Sequence, residues 1–200
     1  MLSLLLALAG ASAFPYQSLA TPASCTVPAW PREALRYEIE GVTTLEFRIG
    51  PDGAVLKPVV RGGSGWTILD QAALEGLARC RFKPGLEESR NGTVFPIQYA
   101  WKLDGPAPLR PVLLAGSCKP ARRIAGYVNL DQRRSAQAGI KLRFLVGADG
   151  QARGIVAEPG GFAPQVVRDA VDYVAGCRFG IAPGASGERT DTSYGWVLLK

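Results

Sequence analysis

The sequence of 200 residues contains no histidine. Histidine is the usual general base near neutral pH and a frequent metal ligand, so its absence excludes Ser-His-Asp, Cys-His and histidine-based zinc chemistry. The four cysteines form neither a C-x-x-C pair nor a cluster, which argues against thiol catalysis and zinc binding. We therefore expect a protein that is not an enzyme, with no catalytic residue, no cofactor and no metal site.

The sequence also has no basic residue before its N-terminal apolar run. The first residues, MLSLLLALAGASA, combine that run with an A-x-A ending, and the run is shorter than the roughly 20 residues of a membrane-spanning helix. Residues 1–13 are predicted to be a signal peptide cleaved before Phe14, so that the mature protein is exported. Two alternatives stay open: a buried N-terminal helix, and a longer membrane anchor encoded upstream of this start.

A repeat is present, and it appears when the sequence is compared with itself at an offset of 97. LEFRIGPDG at 45–53 then aligns with LRFLVGADG at 142–150, and Cys80-Arg81-Phe82 aligns with Cys177-Arg178-Phe179. With small shifts, Cys25 corresponds to Cys118 and Trp101 corresponds to Trp196. The chain is interpreted as two copies of one module, at 25–104 and 118–200.

The residues between the copies, 105–117, have the sequence GPAPLRPVLLAGS. Three prolines and two glycines are typical of a short linker with limited flexibility. The apolar residues 112–114 are suited to packing on one of the copies.

The pattern within each copy predicts an α+β fold, helix-strand-strand-helix-strand, with an antiparallel three-stranded sheet. Asp52-Gly53 predicts the turn of a hairpin, and Pro58 predicts that the second strand is an edge or contains a bulge. Thr67 is expected to cap the main helix, with Asp70 completing a capping box, and Pro164 is expected to begin the corresponding helix. The first strand is predicted to bury one face: Thr43, Leu45, Phe47 and Ile49.

Each copy has one cysteine before its first element and one at the end of its main helix. Four cysteines allow three pairings, and only Cys25–Cys80 with Cys118–Cys177 respects the repeat. In an oxidising compartment an even number of cysteines is typical of disulfide bonds, so we expect these two bonds. Reactive thiols are the alternative.

Four segments of the first copy, in their order and spacing, resemble the C-terminal domain of TonB energy-transducer proteins. These segments are WPREAL, GVTTLEFRIGPDGAV, LDQAALEGLARCRFKPG and VFPIQYAWKL. The second copy is similar to a degenerate relative, because it keeps the strand, the turn and Cys-Arg-Phe but lacks the aromatic-Pro and L-D-x-A-A signatures.

The resemblance implies a periplasmic domain that binds an extended segment of an outer-membrane receptor by adding it to the edge of the sheet. The implied edge runs from Val94 to Trp101, and the corresponding strand of the second copy is Thr192 to Leu198. The implied peptide-binding residues are Val94, Phe95, Ile97, Gln98, Tyr99 and Trp101. The alternative is that these strands are covered, by the other copy or in a dimer formed by self-association.

The sequence departs from the TonB pattern before the first copy. TonB proteins carry a membrane helix and a long proline-rich spacer, whereas only residues 14–24 separate the predicted leader from the first copy. The leading hypothesis is therefore a soluble, non-enzymatic binding or scaffolding protein at the outer membrane. The second hypothesis is an energy transducer for TonB-dependent transport whose anchor is missing from this start codon.

The net charge of +6 lies outside the first copy. Basic and acidic residues balance within 25–104, whereas Arg122-Arg123 and Arg133-Arg134 are the densest basic positions of the remainder. Such a surface could contact anionic lipid, peptidoglycan or an acidic protein, or it could simply be solvated. Nucleic acid is not expected as a partner, since no recognition motif is present.

Overall fold

A computed structural model describes residues 14–130 and 138–200. The chain divides into two compact units: unit 1 contains residues up to 35 together with 39–103, and unit 2 contains 36–38 together with 104–200. The predicted signal peptide, residues 1–13, and Arg133-Arg134 lie outside the described residues. In the part of the chain that the structure describes, no helix is long and apolar enough to cross a membrane.

Unit 1 is an antiparallel three-stranded sheet with one main helix. Its strand order is β2-β1-β3, so that β1 is central and the other two strands lie at the edges. Two short 3-10 turns, at 16–18 and 22–24, precede the regular elements. These elements are α1 (Arg32–Arg36), β1 (Gly41–Ile49), β2 (Val55–Gly62), α2 (Thr67–Ala78), α3 (Glu87–Asn91) and β3 (Phe95–Trp101).

The predicted buried face of β1 is confirmed. Alternate residues of the strand are at most 2% exposed, because successive side chains of a strand point to opposite faces of the sheet: Thr43, Leu45, Phe47 and Ile49. Helix α2 supplies the apolar residues that complete this core, and all of them are fully buried: Leu69, Ala73 and Leu77. The apolar residues of α2 and of β1 thus pack together between the helix and one face of the sheet.

Strand β2 is an edge strand with irregular pairing, as Pro58 predicts. The pairing with β1 shifts register twice, and Lys57, immediately before the proline, has a positive φ of 48°. Proline has no N–H to donate to a neighbouring strand, and a bulge accommodates this loss at an edge.

The predicted capping box of α2 is wrong. The helix begins at Thr67 itself, and Trp66, at the N-cap position, makes no side-chain capping hydrogen bond. The Asp70 carboxylate instead accepts hydrogen bonds from the Ser64 N–H and the Thr43 hydroxyl, both at 2.8 Å. Asp70 therefore joins the helix to the preceding glycine-rich loop and to β1. The loop after Cys80-Arg81-Phe82 also contains the short helix α3.

Unit 2 differs from the predicted module. It is built on a four-stranded antiparallel sheet with the order β5-β9-β6-β7, and a strand, β5, stands where the module's first helix was expected. Helix α4 begins at Pro164 as predicted. The elements are β4 (Val112–Leu113), β5 (Ile124–Asn129), β6 (Gly139–Val146), β7 (Ala152–Ala157), α4 (Pro164–Ala175), β8 (Phe179–Gly180) and β9 (Thr192–Leu199).

The residues expected to form the linker are part of unit 2. Strand β4 pairs with β8, and the Leu109 N–H donates to the Glu188 carbonyl oxygen at 2.7 Å. The apolar residues of this segment therefore pack on the second unit, which leaves little of 104–117 as a free connection.

The structure contains the disulfide bonds Cys25–Cys80 and Cys118–Cys177. Cys80 and Cys177 each lie two residues beyond the main helix of their unit. The bonds span 55 and 59 residues, and by loss of chain entropy in the unfolded state each stabilises its unit by about 4 kcal/mol. Units of this size bury a small core, so this contribution is large relative to their net stability.

The phenylalanine that follows each second cysteine packs on the hairpin turn. The Phe82 N–H donates to the Gly53 carbonyl oxygen at 2.8 Å, and the Phe179 N–H donates to the Gly150 carbonyl oxygen at 2.9 Å. The Phe82 ring also lies 5.7 Å from the Phe47 ring in a stacked arrangement. The repeated Cys-Arg-Phe sequence therefore fixes the end of the helix to the turn of the sheet.

Gly53 is required by this close approach. Its φ is +82°, and a Cβ atom there would lie closer than 3.0 Å to the Phe82 carbonyl oxygen. Gly85 has a similar φ of +71°, but a Cβ there would meet nothing within 4 Å. Substitutions at the two glycines therefore distinguish the cost of the positive φ from the cost of the close contact with Phe82.

We expect Gly53→Ala to lower the free energy of unfolding of unit 1 by roughly 3 kcal/mol, because conformational strain and overpacking add. Gly85→Ala, the matched control, should cost about 1–2 kcal/mol through strain alone. Urea unfolding of the oxidised full chain, followed by the amide signals of β1, measures both. Equal losses for the two variants would contradict the role assigned to the Gly53–Phe82 contact.

Candidate functional site

Strand β3 is an open edge of the sheet of unit 1. It pairs with β1 along its whole length, from Phe95 opposite Phe47 to Trp101 opposite Gly41. On its other side, no strand of the described residues pairs with it. An edge strand presents unpaired N–H and C=O groups, so β3 can accept a further strand.

The side chains of β3 divide between the two faces of the sheet. Phe95 and Trp101 are buried in the core, so they shape the strand and are not available to a partner. Ile97 and Tyr99 are half-buried on the same face, whereas Gln98 is exposed on the opposite face and donates to the Thr44 hydroxyl at 3.0 Å. Val94 lies one residue before the strand and is 38% exposed.

Residues 26–31, directly before α1, form no strand. Pro28 packs against Gly76 of α2, where a Cβ would come closer than 3.0 Å to the proline ring. Trp30 contacts the Trp101 ring edge-on, with 5.9 Å between the ring centroids. Because Pro28 and Pro31 have no N–H, residues 26–31 are poorly suited to pair with a strand.

The second predicted edge, Thr192–Leu198, is wrong. These residues belong to β9, which pairs with β6 on one side and with β5 on the other. Val197, for example, lies opposite Ile140 of β6 and opposite Tyr127 of β5. Strand β5 thus occupies in unit 2 the position that is open beside β3 in unit 1.

The predicted correspondence between Trp101 and Trp196 is also wrong. Thr44 aligns with Lys141 at the repeat offset of 97, and these residues lie opposite Gln98 and Trp196 respectively. Trp196 therefore takes the position of Gln98. Successive side chains of a strand point to opposite faces of the sheet, and Gln98 and Trp101 are three positions apart. Correspondence with Gln98 therefore places Trp196 on the opposite face from the one that correspondence with Trp101 predicts.

Strand β5 and the ring it contributes were not predicted from the sequence. The Tyr127 ring contacts the Phe144 and Phe179 rings, with centroids 6.0 and 5.4 Å away. In unit 1 the Phe14 ring makes the equivalent contacts, lying 5.8 Å from both Phe47 and Phe82. Within the segment IAGYVN, Ile124 and Tyr127 are buried and the other residues are not. These two apolar residues among more exposed ones are the sequence signal that could have predicted an amphipathic element.

The hydroxyl group of Tyr99 is buried and has no hydrogen-bond partner among the described residues. Burial disfavours the charged phenolate and raises the pKa of Tyr99 from 10.0 to about 12, with a smaller contribution from nearby Tyr16. The Trp30 indole N–H, close to the same edge, is likewise buried without a partner in the described part of the chain. Two polar groups beside β3 are thus available for a hydrogen bond.

A second surface lies on unit 2, around Arg122-Arg123. These exposed residues line an open cleft of about 510 Å³ together with Lys119, Asp169 and Asp172. The Arg123 guanidinium lies 4.0 Å from the Asp169 carboxylate, so opposite charges partly compensate within the cleft. An exposed pair at this distance contributes little stability, and the cleft shows no shape that selects a particular ligand.

The first unit matches a known family. The model of the family described as Gram-negative bacterial TonB protein C-terminal matches residues 26–103. Protein TonB of Pseudomonas putida is 36% identical over 67 residues, which cover 32% of this chain. The aligned region spans only about 28% of the length of that relative. No solved structure matches the chain.

The raised pKa of Tyr99 predicts how this group affects stability at high pH. Because the folded state keeps the phenol neutral while the phenol of the unfolded chain ionises near pH 10, the free energy of unfolding should fall as the pH rises from 10 towards 12. In an ultraviolet titration of tyrosinate, the wild type should show one tyrosine that ionises near pH 12 and is absent from Tyr99→Phe. At neutral pH that variant should be as stable as the wild type, because no hydrogen bond is lost. Ionisation of every tyrosine near pH 10 would contradict this environment.

Proposed function

We propose that this protein acts in the periplasm in TonB-dependent transport, as a non-enzymatic protein that binds an extended segment of an outer-membrane receptor. One observation carries the proposal: β3, inside the region that matches the TonB C-terminal family, is an edge strand with no paired neighbour among the described residues. Of the β3 edge residues named from the sequence, Val94, Ile97, Gln98 and Tyr99 are proposed to contact the segment directly. The side chains of Phe95 and Trp101 are buried, so these two residues are proposed to contribute only through the main chain.

Binding by strand addition uses the main chain of β3. Each backbone hydrogen bond formed with the incoming segment contributes about 0.5–1.5 kcal/mol net. Pro96 has no N–H, so the donors lie between Ile97 and Trp101, where alternate residues direct their N–H and C=O groups away from β1. Alternate side chains of the segment would face Gln98 on one side and Ile97 with Tyr99 on the other. No covalent bond changes in this process, and no residue is assigned a catalytic role.

Unit 2 is proposed to be a degenerate copy of the same module that does not bind a segment in this way. The support is its shared order of hairpin, main helix and final strand, together with its own strand β5 on the edge of β9. Its basic residues could hold the protein near anionic envelope surfaces, with an attraction that salt would weaken.

An energy transducer is the second candidate function. It is favoured by the 36% identity to Protein TonB, and it requires a membrane anchor on the mature chain. Mass spectrometry of the protein from its own envelope distinguishes the two. A mature N-terminus at Phe14 supports the soluble binding protein, whereas an attached apolar helix supports the transducer.

We expect a photoreactive residue at Gln98 to capture an outer-membrane receptor in intact cells, because Gln98 is exposed and lies on the open edge strand. Val60 on β2, 37% exposed at the other edge of the same sheet, is the matched control and should capture none. Mass spectrometry of the crosslinked peptides identifies the receptor segment.

Two further results decide the outcome of this experiment. Equal capture of receptor from positions 98 and 60 would contradict binding at the β3 edge. Capture at position 98 of only this protein's own chain would mean that the edge is occupied by self-association, and it would also contradict the proposal.

A further inference from the structure

Gly195 of β9 is the residue that allows β5 to pair so closely. It lies between the two neighbouring strands, opposite Leu142 of β6 and Asn129 of β5. A Cβ atom at this position would come closer than 3.0 Å to the Val128 carbonyl oxygen and would lie 2.5 Å from the Tyr127 phenol oxygen. Any side chain here would therefore meet both the backbone of β5 and the ring that β5 places in the core.

Ile97 takes the corresponding place on β3. Ile97 lies opposite Leu45, as Gly195 lies opposite Leu142, and both leucines are fully buried. Each leucine is followed two residues later by a buried phenylalanine, Phe47 or Phe144, on the same face. The two units therefore differ at the same register position: unit 1 has a β-branched side chain there, and unit 2 has no side chain.

We infer that Ile97 determines which strands can add to β3: it rejects a strand that carries an aromatic residue against this position, and it accepts an extended segment with a small residue there. The inference deepens the proposed function and rests on β3 being the binding edge. Small residues in this sense are glycine, alanine and serine. Strand β5, from this molecule or from a second copy, belongs to the rejected class.

The rejection is steric and cannot be relieved by small movements. Leu45, opposite Ile97 on β1, and Phe47, two residues further along the same face, are 0% and 1% exposed, so the Ile97 side chain has no free core volume to move into. The group it would strike on a β5-like strand is a backbone carbonyl, which moves only with the whole strand. A strand that retreats far enough loses the donor–acceptor distances of about 2.7–3.2 Å on which pairing depends.

The test uses a synthetic peptide with the sequence of residues 122–130, RRIAGYVNL, and the oxidised full-length protein. Fluorescence anisotropy of the labelled peptide should show at least tenfold tighter binding to Ile97→Gly than to the wild type. Ile97→Val keeps the branched side chain and should behave as the wild type. Ala100→Gly is the control for added backbone freedom, because Ala100 is exposed on the opposite face of the same strand and is not one of the implied peptide-binding residues, and it should also behave as the wild type.

The same peptide with alanine in place of its tyrosine completes the comparison. This analogue should bind the wild type more tightly than the tyrosine peptide does, since it places no ring against position 97. Because it keeps the backbone carbonyl, it should still prefer Ile97→Gly, but by a smaller factor than the tyrosine peptide does. Wild-type binding of the tyrosine peptide as tight as that of Ile97→Gly would overturn the inference. So would no gain of binding in a folded Ile97→Gly, whose folding is checked by its amide spectrum.

The reciprocal substitution gives a result that does not depend on the folding of unit 1. Gly195→Ile should displace β5 and increase amide hydrogen exchange at 124–129 by at least tenfold. The control Gly126→Ile places the same side chain in β5 itself, where a Cβ meets nothing within 4 Å, and should leave that exchange nearly unchanged. Continued protection of β5 in Gly195→Ile would overturn the inference.

These results are independent of the receptor experiment. If the β5 peptide binds Ile97→Gly but no receptor is captured at Gln98, the selectivity of the edge stands and the proposed function fails. If receptor is captured but position 97 does not affect peptide choice, the proposed function stands and this inference fails.

Discussion

The attachment of the hairpin turn to the end of the main helix is the interaction on which each unit depends. In unit 1 the Phe82 N–H binds the Gly53 carbonyl oxygen while the Phe82 ring stacks on Phe47. Cys80, two residues earlier, is bonded to Cys25. The hydrogen bond, the ring contact and the disulfide therefore all fall within residues 80–82. Burial of one such ring contributes about 1.5–3 kcal/mol, so together they hold sheet and helix in one arrangement and leave the strand edges to vary.

The two units differ most at one edge, and the difference has a simple physical origin. Unit 1 has prolines in the segment that could pair with β3, and it fills the third aromatic position of its core with Phe14. Unit 2 has β5 there, which supplies Tyr127 and pairs with β9, so that β5 and not β9 lies at the edge of the sheet. Pairing on both sides removes unpaired backbone groups from β9, whereas β3 keeps them on one side. The same framework thus leaves its final strand at the sheet edge in one unit and pairs it on both sides in the other.

Much of this fold could be predicted from local pattern. The buried face of β1, the irregular edge at Pro58 and the start of α4 follow from alternation and from proline chemistry, which act over a few residues. The candidate edge around Gln98 followed from a family resemblance. Strand β5 and the role of Gly195 could not be predicted, because they depend on pairing between residues about 70 positions apart. The alignment of Trp101 with Trp196 failed for a related reason, since sequence similarity does not determine which face of a strand a residue occupies.

Among the described residues, β3 is paired on one side only, whereas β9 is paired on both sides. The most direct test of this difference is residue-resolved amide hydrogen exchange of the oxidised full-length protein. An edge strand binds a neighbour through alternate residues only, whereas an interior strand uses all of its N–H groups. We expect alternating fast and slow exchange along Phe95–Trp101 and uniformly slow exchange along Gly195–Leu198, the part of β9 that pairs with both β5 and β6. Uniform protection of β3, or alternation in β9, would contradict the assignment of the binding edge to the first unit.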